Sequence, residues 1–412
     1  MGWFADRIVT WQRAHGRHDL PWQGTRDPYR IWVSEIMLQQ TQVSAVIPYY
    51  LRFLARFPDV GALAGASQEE VLREWSGLGY YSRARNLHAC ARYLVDELRG
   101  EFPRTADGLA CLPGVGRSTA GAIAAFAFGA RAAILDGNVK RVLCRFAGVE
   151  GFPGVAATER LLWAIAEREL PARGVGPYTQ GLMDLGATLC TRTRPRCTSC
   201  PLAPRCIAAA SGRTAELPTP RPRREPPLRH ATMLILRRGD EVLLEKRPPT
   251  GIWGGLWSLP ESAAPPGAVE EPSARTASHF GLVEHARRAL APFEHAFTHF
   301  RLRVQPLLVE VGIAGARDAV GTLWLPLAEV DAAALPRPVK SLLQRLRDEA
   351  APPAFTAPGA VPDSDGRSRA ARADRTVPSA SASPSRGSAG TRSAGSTPSS
   401  PSRRGRARPP SG

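Results

Sequence analysis

Residues 190–206 read CTRTRPRCTSCPLAPRC, with thiols at Cys190, Cys197, Cys200 and Cys206 and cations at Arg192, Arg194, Arg196 and Arg205. Thiols this close suit a disulfide knot, a zinc knuckle or an iron–sulfur site, and the arginines suit a loop pressed on phosphate. Two carboxylates stand out elsewhere. Glu35 lies in IWVSEIMLQQTQV among Trp32, Val33, Ile36 and Met37. It belongs either to the solvated face of an amphipathic helix or to a buried site. Burial would raise its pKa and let it deliver a proton near neutral pH. Asp136, in ILDGNVKRVLCRF, precedes Gly137-Asn138 and reads as the cap of a helix or as a site acid. Its position after LPGVGRSTAGAIAAFAFG favours the second. In that stretch Gly114 and Gly116 let a backbone approach phosphate, whose charge the amides at a helix N-terminus can hold. A connection inside a helical bundle would look the same. Such a turn grips the nucleic-acid backbone without reading bases.

The chain has 412 residues, enough for two cores, and a formal net charge of +17 with a pI near 10.5. Residues 351–412 hold ten Arg against three Asp, a net +7, which leaves +10 for the rest. An excess of that size points to a polyanion, nucleic acid before an anionic membrane surface. MGWFADRIVTWQRAHGR lacks the apolar run of a signal peptide, and no later run approaches the roughly 20 apolar residues of a membrane helix. The expectation is a cytoplasmic, nucleoid-associated chain with reduced thiols and no membrane partner. Disulfides then recede, and Cys90, Cys111 and Cys144 are expected to pack as small apolar groups.

These residues need elements to hold them. Up to about Ala210 the apolar spacing is helical, as in EEVLREWSGL and ARNLHACARYLVDEL, with breaks at FPDV, GLGYYS, GEFP, LPGVG and FPGV. The pattern predicts an all-α domain of some ten short helices over 1–211. SGRTAELPTPRPRREPPLRH, rich in Pro and Arg, reads as an extended linker at 212–227. In 228–348, ATMLILRRGDEVLLEKR predicts a hairpin about Gly239-Asp240, LRVQPLLVEV and TLWLPL predict strands, and VKSLLQRLRDEA a closing helix. Residues 349–412 form a low-complexity basic tail expected to be disordered.

SEIMLQQTQV, GLGYYSRARNLH, LPGVGRSTAGAI, LDGNVKRV and MDLGATLCTR, in this order, resemble the adenine DNA glycosylase (MutY) branch of the helix-hairpin-helix glycosylases. EKRPPTGIWGGLWSLP and FEHAFTHFRLRV resemble the Nudix-like domain of the same family. The resemblance implies a multidomain chain: an all-α helix-hairpin-helix glycosylase domain with a 4Fe–4S loop, then an α+β Nudix-like domain. It implies a monomer that acts on double-stranded DNA and removes adenine mispaired with 8-oxoguanine or guanine. The spacing of Cys190, Cys197, Cys200 and Cys206 matches the cluster ligands of that superfamily. Zinc more naturally takes two close Cys pairs, and one is present.

By the same resemblance Glu35 is the general acid at N7 of a flipped adenine, and Asp136 stabilises the oxocarbenium ion, helped by Asn138. Gln180 meets the adenine edge, and Gln39 and Tyr80 wedge into the duplex. Ser118 stands where strand-cutting relatives carry lysine, which implies a monofunctional enzyme. Lys140, one turn past Asp136, is read as a phosphate contact, with capture of some abasic product as the alternative. In the second domain Thr298 and His299 match the loop that reads 8-oxoguanine, while ESAAPPGAVEEPSARTASHFGL lacks the Glu-rich metal box of a Nudix hydrolase. Two rival readings are a pyrimidine glycosylase with lyase activity and an inactive damage-binding protein. Ser118 and the second domain oppose the first; Glu35 with Asp136 opposes the second.

Overall fold

The computed structural model describes residues 2–222, 225–262, 279–297, 299–313 and 321–350. Thr298, most of the stretch that would hold a Nudix metal box, and nearly all of the tail lie outside them. The first part is helical: α1 (Trp3–His15), α2 (Pro28–Leu38), α3 (Val43–Arg56), α4 (Val60–Gly65), α5 (Gln68–Trp75), α6 (Ser82–Leu98), α7 (Ala106–Ala110), α8 (Arg117–Phe128), α9 (Gly137–Phe146), α10 (Ala156–Arg168), α11 (Val175–Thr188) and α12 (Ile207–Ala210). Their starts are chemical. Asp27 caps α2 with Pro28 in its first turn, Asp59 caps α4, Ser67 and Glu70 form a capping box on α5, and Thr105 caps α7.

Two apolar cores flank α8. Ala120, Ile123, Ala124 and Ala127 face one, built from α2 to α7; Ala122 and Ala125 face the other, built from α1 and α9 to α11. The run of alanines keeps α8 thin, so both halves close on it. At Gly121 any side chain would collide with the Ala133 carbonyl, so glycine there lets the strand-like segment before Asp136 lie against α8. The crevice between the two halves is where the site lies.

The second part is a mixed sheet of β1 (Leu228–Arg238), β2 (Glu241–Lys246), β3 (Trp257–Ser258), β4 (Glu261–Ser262), β5 (Leu282–Ala289), β6 (Phe293–Ala296), β7 (Arg301–Ile313) and β8 (Thr322–Pro326), followed by α13 (Arg337–Ala350). Its main path runs β3-β2-β1-β7-β5, with β1 and β7 parallel over Leu228↔Arg301 to Arg237↔Glu310. The expected hairpin joins β1 to β2 at Arg238↔Glu241, with Gly239 at φ 61°. Alternation sends Met233 and Ile235 into the larger core and Leu234 and Leu236 into a third cluster with Leu307, Val309 and Val311.

The larger core is continuous across both parts: Leu72, Trp75 and Leu78 belong to the same cluster as Leu256, Leu325 and Leu335. Polar contacts reinforce it. Glu69 accepts from Lys246 Nζ and Trp257 Nε1, each at 2.7 Å, and Ser76 Oγ and Tyr81 Oη donate to the Leu335 carbonyl. The first half of the expected linker is also seated. Leu217 is buried, Arg145 Nε donates to its carbonyl at 2.7 Å, and Thr219 Oγ1 accepts from Gly151 N–H. One thiol departs from expectation: Cys90 and Cys144 are buried, but Cys111 is exposed, because it follows the last residue of the five-residue α7 rather than facing its core.

Candidate active site

A cavity of about 440 Å³ opens between the two halves of the helical part. Ile31, Ser34, Glu35 and Leu38 of α2 form one wall, Gly176, Pro177, Gln180 and Met183 of α11 another, and Phe126 of α8 joins them. Glu35 is thus half-buried in the cavity wall and not on a solvated helix face. Loss of hydration pushes its pKa up to about 8, and the nearby Asp136 carboxylate adds to the rise.

Asp136 is the N-cap of α9: its Oδ1 accepts from Val139 N–H at 2.7 Å. Capping and proximity to Glu35 therefore coexist in one side chain. Burial raises its pKa; backbone donors at Val139 and Asn138, then Arg141 and Lys140, pull it back. Ser118 touches the same segment. Its Oγ accepts from Leu135 N–H at 2.9 Å, which ties the residue before Asp136 to α8. Asn138 Oδ1 accepts from Arg141 Nη2 at 2.8 Å. Lys140 Nζ meets Glu159 Oε1 at 2.7 Å.

Opposite Glu35, Gln180 Nε2 donates to Asp184 Oδ1 at 2.9 Å. Asp184 is fully buried and also accepts from Arg17 N, Nε and Nη2 at 3.0, 2.7 and 2.7 Å. The Arg17–Asp184 pair engages the Gln180 amide nitrogen, so its oxygen is the end left to accept from a ligand. Neither partner stands out in the sequence; an Asp among the apolar residues of the helical run TQGLMDLG is their one signal.

The hairpin runs from α7 through Leu112–Gly116 into α8. Gly114 has φ +75°, and a Cβ there would lie 2.6 Å from Asn86 Cβ, so the turn requires glycine twice over. Gly116 starts α8 with no side-chain cap and open space about it, which leaves the first amides of the helix accessible.

Two further turns carry Gln39 and Tyr80. Gln39 is half-buried and its amide donates to Thr119 Oγ1 at 3.2 Å; the next residue, Gln40, is exposed at φ +57°. Tyr80 is 47% exposed at φ +50°. Left-handed backbone at such residues persists only where surroundings enforce it. Here the enforcing group is Arg83, missed in the sequence. Buried on α6, it donates from Nη1 to the carbonyls of Ile36, Met37 and Gln39 and from Nη2 to Thr41 Oγ1 and the Gly79 carbonyl, and its guanidinium lies over Trp75 and Tyr80.

Cys190, Cys197, Cys200 and Cys206 are unpaired thiols lining one apolar cavity with Val142, Leu185 and Leu202. Among the described residues no three His, Cys, Asp or Glu side chains gather as a single ion would require. Four thiols around one apolar hollow instead fit a group wider than an ion. Arg145 buttresses them: Nη1 donates to Cys190 Sγ at 3.3 Å and to the Thr191 carbonyl at 2.7 Å, and Nη2 to the Arg192 carbonyl at 3.0 Å. Arg192, Arg194, Arg196 and Arg205 are exposed.

In the second part His299 is exposed at the turn between β6 and β7, where Phe297 N–H donates to the Phe300 carbonyl at 2.9 Å and the two rings stack at 4.5 Å.

The family model described as HhH-GPD superfamily base excision DNA repair protein matches residues 33–168, and that of the NUDIX domain matches 231–345. An adenine DNA glycosylase of Buchnera aphidicola (subsp. Acyrthosiphon pisum) is 33% identical over 346 residues, covering 84% of this chain and 97% of that protein. The Mus musculus adenine DNA glycosylase is 34% identical over 409 residues, covering 84% and 78%, and the Homo sapiens protein 34% over 407, covering 83% and 73%. A solved thermostable thymine-DNA glycosylase aligns at a TM-score of 0.47 and 30% identity over 50% of this chain and 95% of its own. With relatives of this similarity matched along most of its length, the chain belongs to the adenine DNA glycosylase family of base-excision DNA repair enzymes.

Proposed function

We propose that this DNA glycosylase excises adenine opposite 8-oxoguanine, or guanine, by hydrolysing the N-glycosidic bond without cutting the strand. The observation that carries the chemistry is a carboxyl, Glu35, that keeps its proton near neutral pH in the wall of a cavity, with a second carboxylate close by. An adenine must leave the stack to enter that cavity. Gln180 Oε1, oriented by Asp184, suits the exocyclic amino group of the base. Glu35 gives its proton to N7, the C1′–N9 bond breaks with its electron pair going to the base, and the oxocarbenium ion left at the sugar faces the Asp136 carboxylate. Water then completes hydrolysis. The division of labour parallels the paired carboxylates of glycosidases. Asn138 steadies the α9 entrance, and Ser118 fixes Leu135 and hence Asp136. A hydroxyl at Ser118 supplies no amine for an imine, and the Lys140 amine is engaged by Glu159.

Around this site the Gly114–Gly116 turn grips phosphate on the free amides of α8, and Gln39 and Tyr80 enter the duplex as a paired wedge. Cys190, Cys197, Cys200 and Cys206 would hold a 4Fe–4S cluster, which when bound braces the arginine-bearing loop as a structural cross-link. Thr298 and His299 read the opposite base. The enzyme works as a monomer on double-stranded DNA. Duplexes with adenine opposite 8-oxoguanine, incubated with enzyme and split before and after hot alkali, test this reading. Product strands are expected only after alkali; nicking without it would overturn the monofunctional assignment, and no alkali-labile site would overturn the substrate.

A further inference from the structure

Arg83 and Arg85, two residues apart on α6, serve different parts of the molecule. Arg83 binds the wedge turns of the helical part. Arg85 reaches across to the second part, where its Nη1 donates to the Gly254 carbonyl at 2.7 Å. Its stem is half-buried in that contact, and burial draws its pKa below the usual guanidinium range. Gly254 follows Trp253, a buried aromatic with φ +55°. So bulky a residue adopts a left-handed backbone only when its neighbours leave no alternative. The Trp253 ring, in turn, stands 5.7 Å from Phe297 and 6.1 Å from His295, and Phe297 stacks on Phe300. Trp253 thus backs Phe297 and, through it, Phe300, and the carbonyl of the next residue, Gly254, is pinned by Arg85.

We propose that Arg85 is a positioning residue for opposite-base preference, acting through the Trp253 brace behind the 297–300 turn. The inference rests on the reading of that turn as the part that senses 8-oxoguanine. Other contacts hold the two parts together independently: Glu69 grips β2 and β3, and Ser76 and Tyr81 hold Leu335. Removing the Arg85 contact should therefore leave the second part docked and loosen only the brace. A reader contact made through a turn that can shift by a fraction of an ångström loses strength, while the Glu35 site, built from other elements, is untouched.

The test is the ratio of single-turnover excision rates on duplexes with adenine opposite 8-oxoguanine and opposite guanine, using the full chain. Arg85→Met keeps the apolar stem and removes the donor. It is expected to lower the ratio about 10-fold, the order of a lost charge-assisted hydrogen bond, through a slower 8-oxoguanine duplex and an unchanged guanine one. Arg85→Lys restores a donor and is expected to recover most of the ratio. Trp253→Phe probes the link from its other end and should lower the ratio in the same direction. An unchanged ratio in Arg85→Met and Trp253→Phe, or equal losses on both duplexes, overturns the proposal. A ratio of one in the unaltered protein would instead overturn the lesion-reading assignment itself, so the two failures are distinct.

Discussion

Glu35 keeps its proton at neutral pH because the cavity strips its water and Asp136 opposes a second negative charge. Excision should accordingly fall as pH rises through about 8, where the acid is lost. It should also fall on the acid side as Asp136, raised above the usual carboxylate range by burial, takes up a proton. Single-turnover rates from pH 5 to 10 check both limbs; a flat alkaline side would exclude Glu35 as proton donor. Linkage gives a second test. A carboxyl whose folded pKa lies above its unfolded value costs stability progressively as pH rises from about 4.5 to about 8. Glu35→Gln removes that cost. It should abolish excision, yet be more stable than the unaltered protein at pH 9 by on the order of 2–4 kcal/mol, and no more stable at pH 4. Urea melts at the two pH values decide it. Asp136→Asn should keep the cap on Val139, since an amide oxygen still accepts, while losing about 100- to 1,000-fold in rate with the charge. The residue types were legible in the chain, and so was the chemistry they could do. What IWVSEIMLQQ could not disclose was burial, because the groups that enclose Glu35, among them Phe126, Pro177 and Met183, come from helices far along the sequence.

Elements show a different limit. Helices with sequence-local signals were readable: the apolar spacing of EEVLREWSGL at α5, Asp136 at α9, and the Gly114–Gly116 turn into α8. What joins elements was not, because it lies in single arginines with distant carbonyl partners. Arg83 grips a turn some forty residues earlier, and Arg145 on α9 collects the carbonyls of Thr191, Arg192 and Leu217 together with Cys190 Sγ. In sequence each is one more cation among 54 Lys and Arg. Arg145 is 2% exposed, so its replacement leaves the buried Leu217 carbonyl unpaired, at about 1–3 kcal/mol, together with the part-buried carbonyls of Thr191 and Arg192. Arg145→Met is therefore expected to release the 190–206 loop. Limited proteolysis should cut at its exposed arginines, and iron per chain after anaerobic purification should drop well below that of the unaltered protein. Resistance to cleavage with full iron would show that the thiols hold the loop unaided.

At the scale of the whole molecule, the Pro/Arg break in composition marked where helices give way to strands, but it suggested an extended linker throughout. Composition reports that a segment lacks a repeat; it says nothing of where its carbonyls and side chains go. Residues 212–219 belong to the helical part: Leu217 is buried, and Arg213 pairs with Glu150 at 2.8 Å and Glu216 at 2.9 Å. The sheet is likewise no passive attachment, since Leu72, Trp75 and Leu78 share one core with Leu256 and Leu335. A chain ending at Ser211 thus loses two supports at once, whereas one ending at Pro222 loses only the sheet. Each buried Leu contributes roughly 1.5–3 kcal/mol, so uncovering this face removes a large share of an ordinary net stability of about 5–15 kcal/mol. We expect the 1–222 fragment to melt well below the full chain and to bind an apolar dye such as ANS, and the 1–211 fragment to melt lower still. Every residue assigned to base excision lies before position 222, so 1–222 should still release adenine below its melting point. It should do so with nearly equal rates opposite 8-oxoguanine and guanine, because the 297–300 turn and its Trp253 brace are gone. Equal melting of 1–222 and the full chain, with no dye binding, would mean that the shared core contributes nothing to the helical part and that the sheet is a separable reader.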